Sequence, residues 1–185
     1  MKALADKADF SVNWRPFQLN PSAEGGEGVN KMEMYTKKFG ADRVKGLLPQ
    51  MIATGQQDGI NFSYGGNVGN TFDSHRLIAF AEKQGKQDAI VEELFRNYFE
   101  EEKCLSDQKV LLAAANKVGL TGAEELLAGS MESAEVNADL DRYQGSMGIS
   151  GVPHFLFNGK HGESGALPSS DLKKIIEQCI RESKA

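Results

Sequence analysis

Residues 148–159 read Gly148-Ile149-Ser150-Gly151-Val152-Pro153-His154-Phe155-Leu156-Phe157-Asn158-Gly159. The residues after the proline are rich in aromatic side chains, and Asn-Gly is the strongest short-range signal for a β-hairpin turn. The pattern therefore predicts a strand at His154–Phe157 and a return strand within residues 160–166. After Pro168, apolar residues recur at helical spacing and predict a final amphipathic helix. The chain thus ends in a β-β-α unit.

Residues 10–19, near the N-terminus, alternate apolar and polar side chains. Phe10, Val12 and Trp14 would point to one face of a strand, and the residues between them would point to the other. Pro16 cannot donate a hydrogen bond to a sheet, so it marks an edge position or the end of pairing. The pattern predicts a strand over residues 10–17, followed by a glycine-rich loop.

Residues 29–143 are predicted to be almost entirely helical, because apolar side chains recur at intervals of three and four residues. Pro49 argues against one unbroken helix in its segment. A helical block between a strand and a closing β-β-α unit is unusual for a self-contained α/β domain, and indicates an insertion into a smaller sheet-based fold. We therefore assign residues 1–28 and 144–185 to a partial core and residues 29–143 to a helical insertion domain.

Three helix starts within the block carry capping signals. Asn70 or Thr71 can cap one helix, because a short polar side chain can accept a hydrogen bond from the first turn. Ser106 is expected to cap a second helix. Thr121, with Glu124 three residues later, forms a capping-box pattern that predicts the start of a third, short helix.

The composition is that of an ordinary soluble protein of 185 residues, 40% hydrophobic and 25% charged. A net charge of −5 argues against nucleic acid or an anionic membrane as an electrostatic partner. No apolar stretch approaches the roughly 20 residues that span a bilayer. The charged start of the chain lacks the apolar centre of a signal peptide, which predicts a cytoplasmic protein; a leader upstream of Met1 is the alternative.

The two cysteines, Cys104 and Cys179, are far apart in the sequence. Neither belongs to a Cys-x-x-Cys motif, and no histidine lies beside either one at metal-ligand spacing. Because thiols in the cytoplasm mostly stay reduced, we expect two free thiols; a structural disulfide or a lone reactive cysteine is the alternative. The sequence also shows no catalytic triad, phosphate-binding loop or metal-ligand cluster, so no catalytic residue and no metal site are predicted.

Four stretches carry a resemblance to a known family. They are Trp14-Arg15-Pro16-Phe17-Gln18-Leu19-Asn20-Pro21, Asn70-Thr71-Phe72-Asp73-Ser74-His75-Arg76-Leu77, Gly148-Ile149-Ser150-Gly151-Val152-Pro153 and Ser164-Gly165-Ala166. They occur in the family's order and are spread over most of the chain. On these stretches the chain resembles the DsbA-like thioredoxin-fold family, in the FrnE-like branch that is related to 2-hydroxychromene-2-carboxylate isomerases.

The resemblance implies an α/β, thioredoxin-like fold with a large all-helical insertion. Enzymes of this family carry a Cys-x-x-Cys at the start of the first helix, where the helix N-terminus lowers the thiol pKa and favours the attacking thiolate. Residues 1–8 resemble only the tail of that helix, so the first strand and its Cys-x-x-Cys are missing from the sequence. Because that strand lies inside the family's sheet, we hypothesise that the chain is truncated.

By the same resemblance, Pro153 is the cis-proline that faces the redox site and lets an extended substrate pair with the backbone of Val152. A proline that merely starts a strand is the alternative. His154 stands where the family more often has an aromatic residue. It either donates to a substrate or tunes a thiolate, or it packs as a partly buried ring. Val152, Pro153 and His154 are therefore candidate substrate-binding residues.

His75, Arg76 and Trp14 are candidate lining residues of a cleft. The family counterparts of His75 and Arg76 belong to the helical domain near that cleft. The alternative is structural, because buried polar groups are usually bonded within the fold. In that case His75 and Arg76 anchor a helix, while Trp14 and Phe17 fill the interface between sheet and insertion.

Three functions stay open. The first is a DsbA-family thiol-disulfide oxidoreductase without its own redox dithiol, whose partners are thiol or disulfide proteins and peptides. The second is a glutathione-binding protein like the kappa-type glutathione transferases and chromene-carboxylate isomerases, which share the insertion architecture; no cofactor other than glutathione is expected. The third is a non-catalytic module that binds extended peptides. A homodimer is compatible with all three.

Overall fold

The structure is a computed structural model that describes residues 4–183. The chain divides into two compact units, one formed by Met1–Asn13 with Leu140–Ala185 and the other by Trp14–Asp139. The second unit therefore includes residues 14–28, which the sequence assigned to the core. The backbone of Trp14 is held there by Gln87, whose side chain accepts from its N–H at 3.0 Å and donates to its carbonyl at 3.1 Å.

The unit Trp14–Asp139 is built mainly from helices. Its elements are β1 (Val29–Asn30), α1 (Lys31–Phe39), α2 (Ala41–Gln57), β2 (Asn67–Val68), α3 (Phe72–Glu82), α4 (Gln87–Phe99), α5 (Gln108–Lys117), α6 (Ala123–Ala128) and α7 (Ser133–Leu140). The two short strands pair antiparallel, with Val29 opposite Val68. The sequence pattern did not predict this pair, since two residues are too few to show a strand period.

The core of this unit lies among α3, α4, α5 and α6. Its members are apolar and nearly inaccessible to solvent, as the helical periodicity predicted; they include Leu77, Ile90, Leu94, Leu111 and Leu126. Each helix contributes positions three or four residues apart, which fall on one face. The helical character predicted for residues 29–143 is confirmed for most of the block.

Helix α2 continues through Pro49 to Gln57, so the predicted interruption is wrong. Pro49 is exposed on this helix. The helix ends where Gly55 packs against the ring of Phe62 and its carbonyl accepts from the N–H of Ile60 at 2.8 Å.

Two predicted caps are replaced by neighbouring residues. Asp107, not Ser106, caps α5 and accepts from the N–H of Lys109 at 2.8 Å. The hydroxyl of Ser106 donates instead to the carbonyl of Gly26 at 2.8 Å. Both side chains were plausible caps, and a contact distant in the sequence decided between them.

The capping box at Thr121 does not form. Gly122 occupies the N-cap position of α6, and no side chain caps that helix. The hydroxyl and the N–H of Thr121 both lie within hydrogen-bonding distance of the side-chain oxygen of Gln84, in the turn after α3. At the start of α3 the N-cap residue is Thr71, whose side chain makes no capping bond. Oδ1 of Asn70, the other predicted cap, accepts from the N–H of Phe72 at 2.9 Å.

In the other unit, a π-helical segment (Asp141–Ser146) precedes a hairpin of β3 (His154–Phe157) and β4 (His161–Ser164), and α8 (Ser169–Glu182) follows. The strands pair antiparallel with Phe155 opposite Glu163, so the predicted hairpin and final helix are confirmed. The strand predicted over residues 10–17 is wrong, because this segment has no strand conformation. An alternating pattern forms a strand only where a neighbouring strand accepts its backbone hydrogen bonds.

Within residues 4–183, no helix is both long enough and apolar enough to cross a membrane.

Candidate functional site

The segment that leads into β3 exposes a free backbone. Val152 exposes 51% of its surface, and Pro153 is exposed as well. Among the described residues, neither the N–H nor the C=O of Val152 makes a hydrogen bond. An exposed residue with both groups unpaired can accept and donate one hydrogen bond each to an extended peptide, as a strand edge does.

The peptide bond between Val152 and Pro153 is cis, as the resemblance implied. The carbonyl of Pro153 accepts from the N–H of Gly165 at 2.9 Å and is thereby tied to the segment after β4. The glycine has φ of 92°, a conformation that side chains rarely adopt. The motif Ser164-Gly165-Ala166 thus holds the proline segment in place from the neighbouring strand.

The ring of His154 lies across the hairpin. Its Nδ1 is 2.8 Å from Oγ of Ser164, the residue directly opposite. A β-carbon on Gly162 would come within 3.5 Å of Nε2, so the ring lies over this glycine. His154 therefore has a polar partner and a defined position. Ser164 and Gly162 were not predicted as site residues, although Ser164 stands in a motif that the sequence shows.

One edge of β3 is open within the described part of the chain, since its sheet has two strands. In antiparallel pairs, residues with exchanged hydrogen bonds alternate with residues that have none. Pro153 is bonded to Gly165, so the next residue to share hydrogen bonds with β4 is Phe155. The N–H and C=O groups of His154 and Leu156 therefore point away from β4, toward the open edge. This edge continues the free backbone of Val152.

The side chain of His75 bonds within the helical unit. Its Nε2 donates to the carbonyl of Phe17 at 3.2 Å and is 3.3 Å from Oγ1 of Thr71. Burial lowers the pKa of His75 to about 4, although the bond to Phe17 opposes the shift. The imidazole is therefore neutral at physiological pH and links residues 14–19 to α3.

The guanidinium of Arg76 is 4% exposed and surrounded by acceptors. Its Nε donates to the carbonyl of Met131 at 2.9 Å, and its Nη2 donates to the carbonyls of Leu126 and Gly129. Nη1 pairs with the carboxylate of Asp73 at 2.7 Å. These bonds hold the end of α6 and the turn after it against α3, and they leave Arg76 little surface for a ligand.

Trp14 packs on α4. Its indole Nε1 donates to Oδ1 of Asp88 at 2.6 Å, and its ring meets Phe95 edge to face with centroids 5.8 Å apart. Together with the two bonds from Gln87, these contacts fix the residue on the helical unit. Val152, Pro153 and His154 thus lie together in one unit, whereas His75, Arg76 and Trp14 belong to the other.

The two cysteines are free, as predicted, and both are buried. Cys104 lies between α4 and α5, with Sγ 3.0 Å from Oγ of Ser106. Cys179 lies in α8 and belongs to the other unit. Neither has a second cysteine close to it in the sequence.

Comparison with known proteins identifies this arrangement. A family model described as the DSBA-like thioredoxin domain matches residues 1–177. The chain is also similar to a solved structure, the crystal structure of a probable DsbA oxidoreductase from Streptomyces coelicolor, with a TM-score of 0.79 and 26% identity. The match covers 89% of this chain and 73% of that one. No curated protein matches the sequence.

The hairpin, its cis-proline and the helical unit are therefore those of a DsbA-like thioredoxin domain. The chain belongs to the DSBA-like thioredoxin domain family. The predicted fold class, thioredoxin-like with a large helical insertion, is confirmed.

Proposed function

We propose that this chain supplies the substrate-binding part of a FrnE-like thiol-disulfide oxidoreductase and has no redox dithiol of its own. The observation that carries the proposal is that Val152 is exposed and that its N–H and C=O make no hydrogen bond within the described residues. An extended peptide with a cysteine can pair there as a short added strand. His154, held by Ser164, lies next to this position and can donate to the peptide.

The chemistry of the family requires two thiols at one place. A thiolate attacks a substrate disulfide, forms a mixed disulfide and displaces one substrate thiolate. The second thiol then attacks the mixed disulfide, which forms a disulfide with the first thiol and releases the other substrate thiolate. In this chain Cys104 and Cys179 belong to different units, and both are buried. We therefore propose that the chain binds substrate without exchanging disulfides, so that insulin reduction in its presence proceeds at the protein-free rate. Reduction that disappears in Cys104→Ser but persists when Pro153 is replaced would contradict this and make Cys104 the reactive thiol.

Calorimetric titration with a short peptide tests the binding site. The peptide carries S-methylcysteine at its centre, so that no exchange can occur. Val152→Pro removes the N–H, and we expect its affinity to fall about tenfold, the effect of one lost hydrogen bond at an exposed edge. Val152→Ala keeps the N–H and serves as the matched control. A peptide N-methylated beside the cysteine removes a donor on the other side without changing the protein. If both changes leave the affinity as it was, Val152 is not the binding position.

Glutathione is itself a peptide with a central cysteine, and a glutathione-binding protein remains the competing function. Saturable binding of glutathione, abolished by Val152→Pro, together with no binding of the longer peptide, would favour that function. Binding of the longer peptide alone would favour the oxidoreductase or a non-catalytic peptide-binding module. The hypothesis of truncation is tested by the upstream coding sequence. It requires that this sequence encode, in frame, a strand followed by Cys-x-x-Cys.

A further inference from the structure

The helical hairpin of α1 and α2 has an apolar face that nothing in the described part of the chain covers. Four large apolar side chains lie along its length, and they expose between 38% and 46% of their surface: Phe39, Leu47, Met51 and Ile60. Phe39 ends α1, and Ile60 is the third residue after the end of α2. The exposed side chains therefore extend from the tip of the hairpin to its base.

Helix α2 shows how this face arises. Val44 and Gly55 lie at the centre of its apolar stripe and are buried. At 100° per residue, Leu47 and Met51 lie on one flank of the same stripe, while Ala53 lies on the opposite side of the helix. The stability of a helix in water depends mostly on packing of its apolar face against other elements. In the described part of the chain, the flank of α2 that carries Leu47 and Met51 has no such packing.

The tip of the hairpin is basic. Lys37 and Lys38 end α1, and Arg43 and Lys45 begin α2, with Asp42 as the only acidic side chain among them. Within residues 4–183, none of these four cations forms an ion pair with a carboxylate. The basic charge at the tip is therefore available to a partner.

The base of the hairpin is acidic. Asp58 follows α2 and is exposed. Glu100, at the end of α4, lies beside the same segment, because its Oε1 accepts from the N–H of Asn61 at 2.8 Å. Glu102 lies there too, bonded through its carboxylate to the hydroxyl of Ser63. These three carboxylates form no ion pair within the described residues.

We propose that the α1–α2 hairpin is the interface of a homodimer, with the two copies of α2 antiparallel about a two-fold axis. This arrangement brings Leu47 and Met51 of one protomer against those of its partner. It also places the basic tip of each protomer next to the acidic base of the other, so one surface is complementary to itself in charge. Antiparallel helices further bring opposite dipole ends together.

The area of the apolar face determines how tightly the two protomers are expected to bind. Helix α2 has 17 residues and is about 25 Å long at 1.5 Å per residue. Two adjacent helices of about 10 Å diameter cover about 500 Å² on each protomer, or about 1,000 Å² in total. This is near the lower limit of specific interfaces, so we expect a dimer that dissociates at micromolar concentrations.

Sedimentation velocity of the full chain over a range of concentrations tests the proposal. Met51→Glu places a charge in the apolar stripe, and we expect it to weaken the dimer more than about tenfold, as for a central interface residue. Ala53→Glu adds the same charge to the same helix on the opposite side, and should change the dissociation constant by less than about twofold. Circular dichroism of both variants verifies that α2 remains folded. A chain that is monomeric at all concentrations, or equal effects of the two variants, would overturn the proposal.

A charge reversal tests the antiparallel orientation separately. Arg43→Glu and Asp58→Lys should each weaken the dimer, since each places like charges together at the ends of the interface. The double variant restores opposite charges between the two protomers, and its affinity should return to within about threefold of the original. A double variant weaker than either single one would overturn the antiparallel dimer.

Discussion

The Nε2 of His75 lies 3.2 Å from the carbonyl oxygen of Phe17, 58 positions earlier in the chain. This bond and those of Gln87 with Trp14 attach residues 14–19 to the helices α3 and α4. The bond between His75 and Phe17 also shows that Nε2 carries the proton of the neutral imidazole, since a carbonyl oxygen can only accept a hydrogen bond. The segment that the sequence marked as a strand is thus held by side chains.

The bond predicts how stability depends on pH. Burial lowers the pKa of His75 to about 4 in the folded protein, below the value of about 6.5 expected when unfolded. The unfolded chain therefore binds the proton first, and this contribution is complete above pH 6.5 and lost as the pH falls toward 4. At pH 5 the protein should lose about 1 to 2 kcal/mol of unfolding free energy by this route.

Urea unfolding at pH 7 and pH 5, followed by the fluorescence of Trp14, measures this loss. His75→Gln can still donate to Phe17 but does not titrate, so the difference between the two pH values should be smaller in the variant. The carboxylates titrate in the same way in both proteins, so their effect on the unfolding free energy cancels in the comparison. The same pH dependence in both proteins would contradict the assignment to His75.

Arg76 is expected to be a major contributor to the stability of the helical unit. Arg76→Met removes the donor that the carboxylate of Asp73 and three backbone carbonyls share, which should cost about 3 to 5 kcal/mol. Arg96→Met is a matched control, because Arg96 is exposed and its partner Glu93 keeps a second ion pair with Lys117. It should cost less than about 1 kcal/mol in the same urea titration. Equal losses would show that the buried network of Arg76 adds nothing.

Two glycines should respond to alanine in opposite directions. Gly66 has φ of 72°, and a β-carbon there would come within 2.0 Å of the carbonyl oxygen of Glu102. Gly66→Ala should therefore destabilise by at least about 2 kcal/mol, through the left-handed backbone and the clash. Gly46 lies inside α2 with open space around it, so Gly46→Ala should stabilise by about 0.5 to 1 kcal/mol. Thermal unfolding of both variants measures the two signs, and a stabilising Gly66→Ala would exclude the close approach to Glu102.

The burial of both thiols predicts slow modification. Cys104 and Cys179 are 8% and 6% exposed, so an aromatic disulfide reagent should react with neither at once in the native protein. In denaturant it should release two equivalents of chromophore. Rapid release of one equivalent in the native state would show an accessible thiol, and Cys104→Ser would identify which one.

Features that depend on neighbours in the sequence were predictable. The helices α3, α4 and α5 follow from apolar residues three and four positions apart, and the hairpin follows from Asn158-Gly159, since φ at both residues is positive. The position of Val152 and Pro153 before β3 follows from the same local pattern. These features need only a short stretch of chain, because helix periodicity and turn geometry are local.

Tertiary contacts decided the rest. The alternation at residues 10–17 has the period of a strand, yet Trp14 bonds to Gln87 and Asp88 on a helix far along the chain. Ser106 and Thr121 have the chemistry of caps, but partners at Gly26 and Gln84 engage their hydroxyls. His154 is a lone histidine until the hairpin places Ser164 opposite it. The sequence by itself therefore determined the helices, the hairpin and the family. Which polar groups bond to which was determined only by folding, because a hydrogen bond depends on distances that the order of residues does not contain.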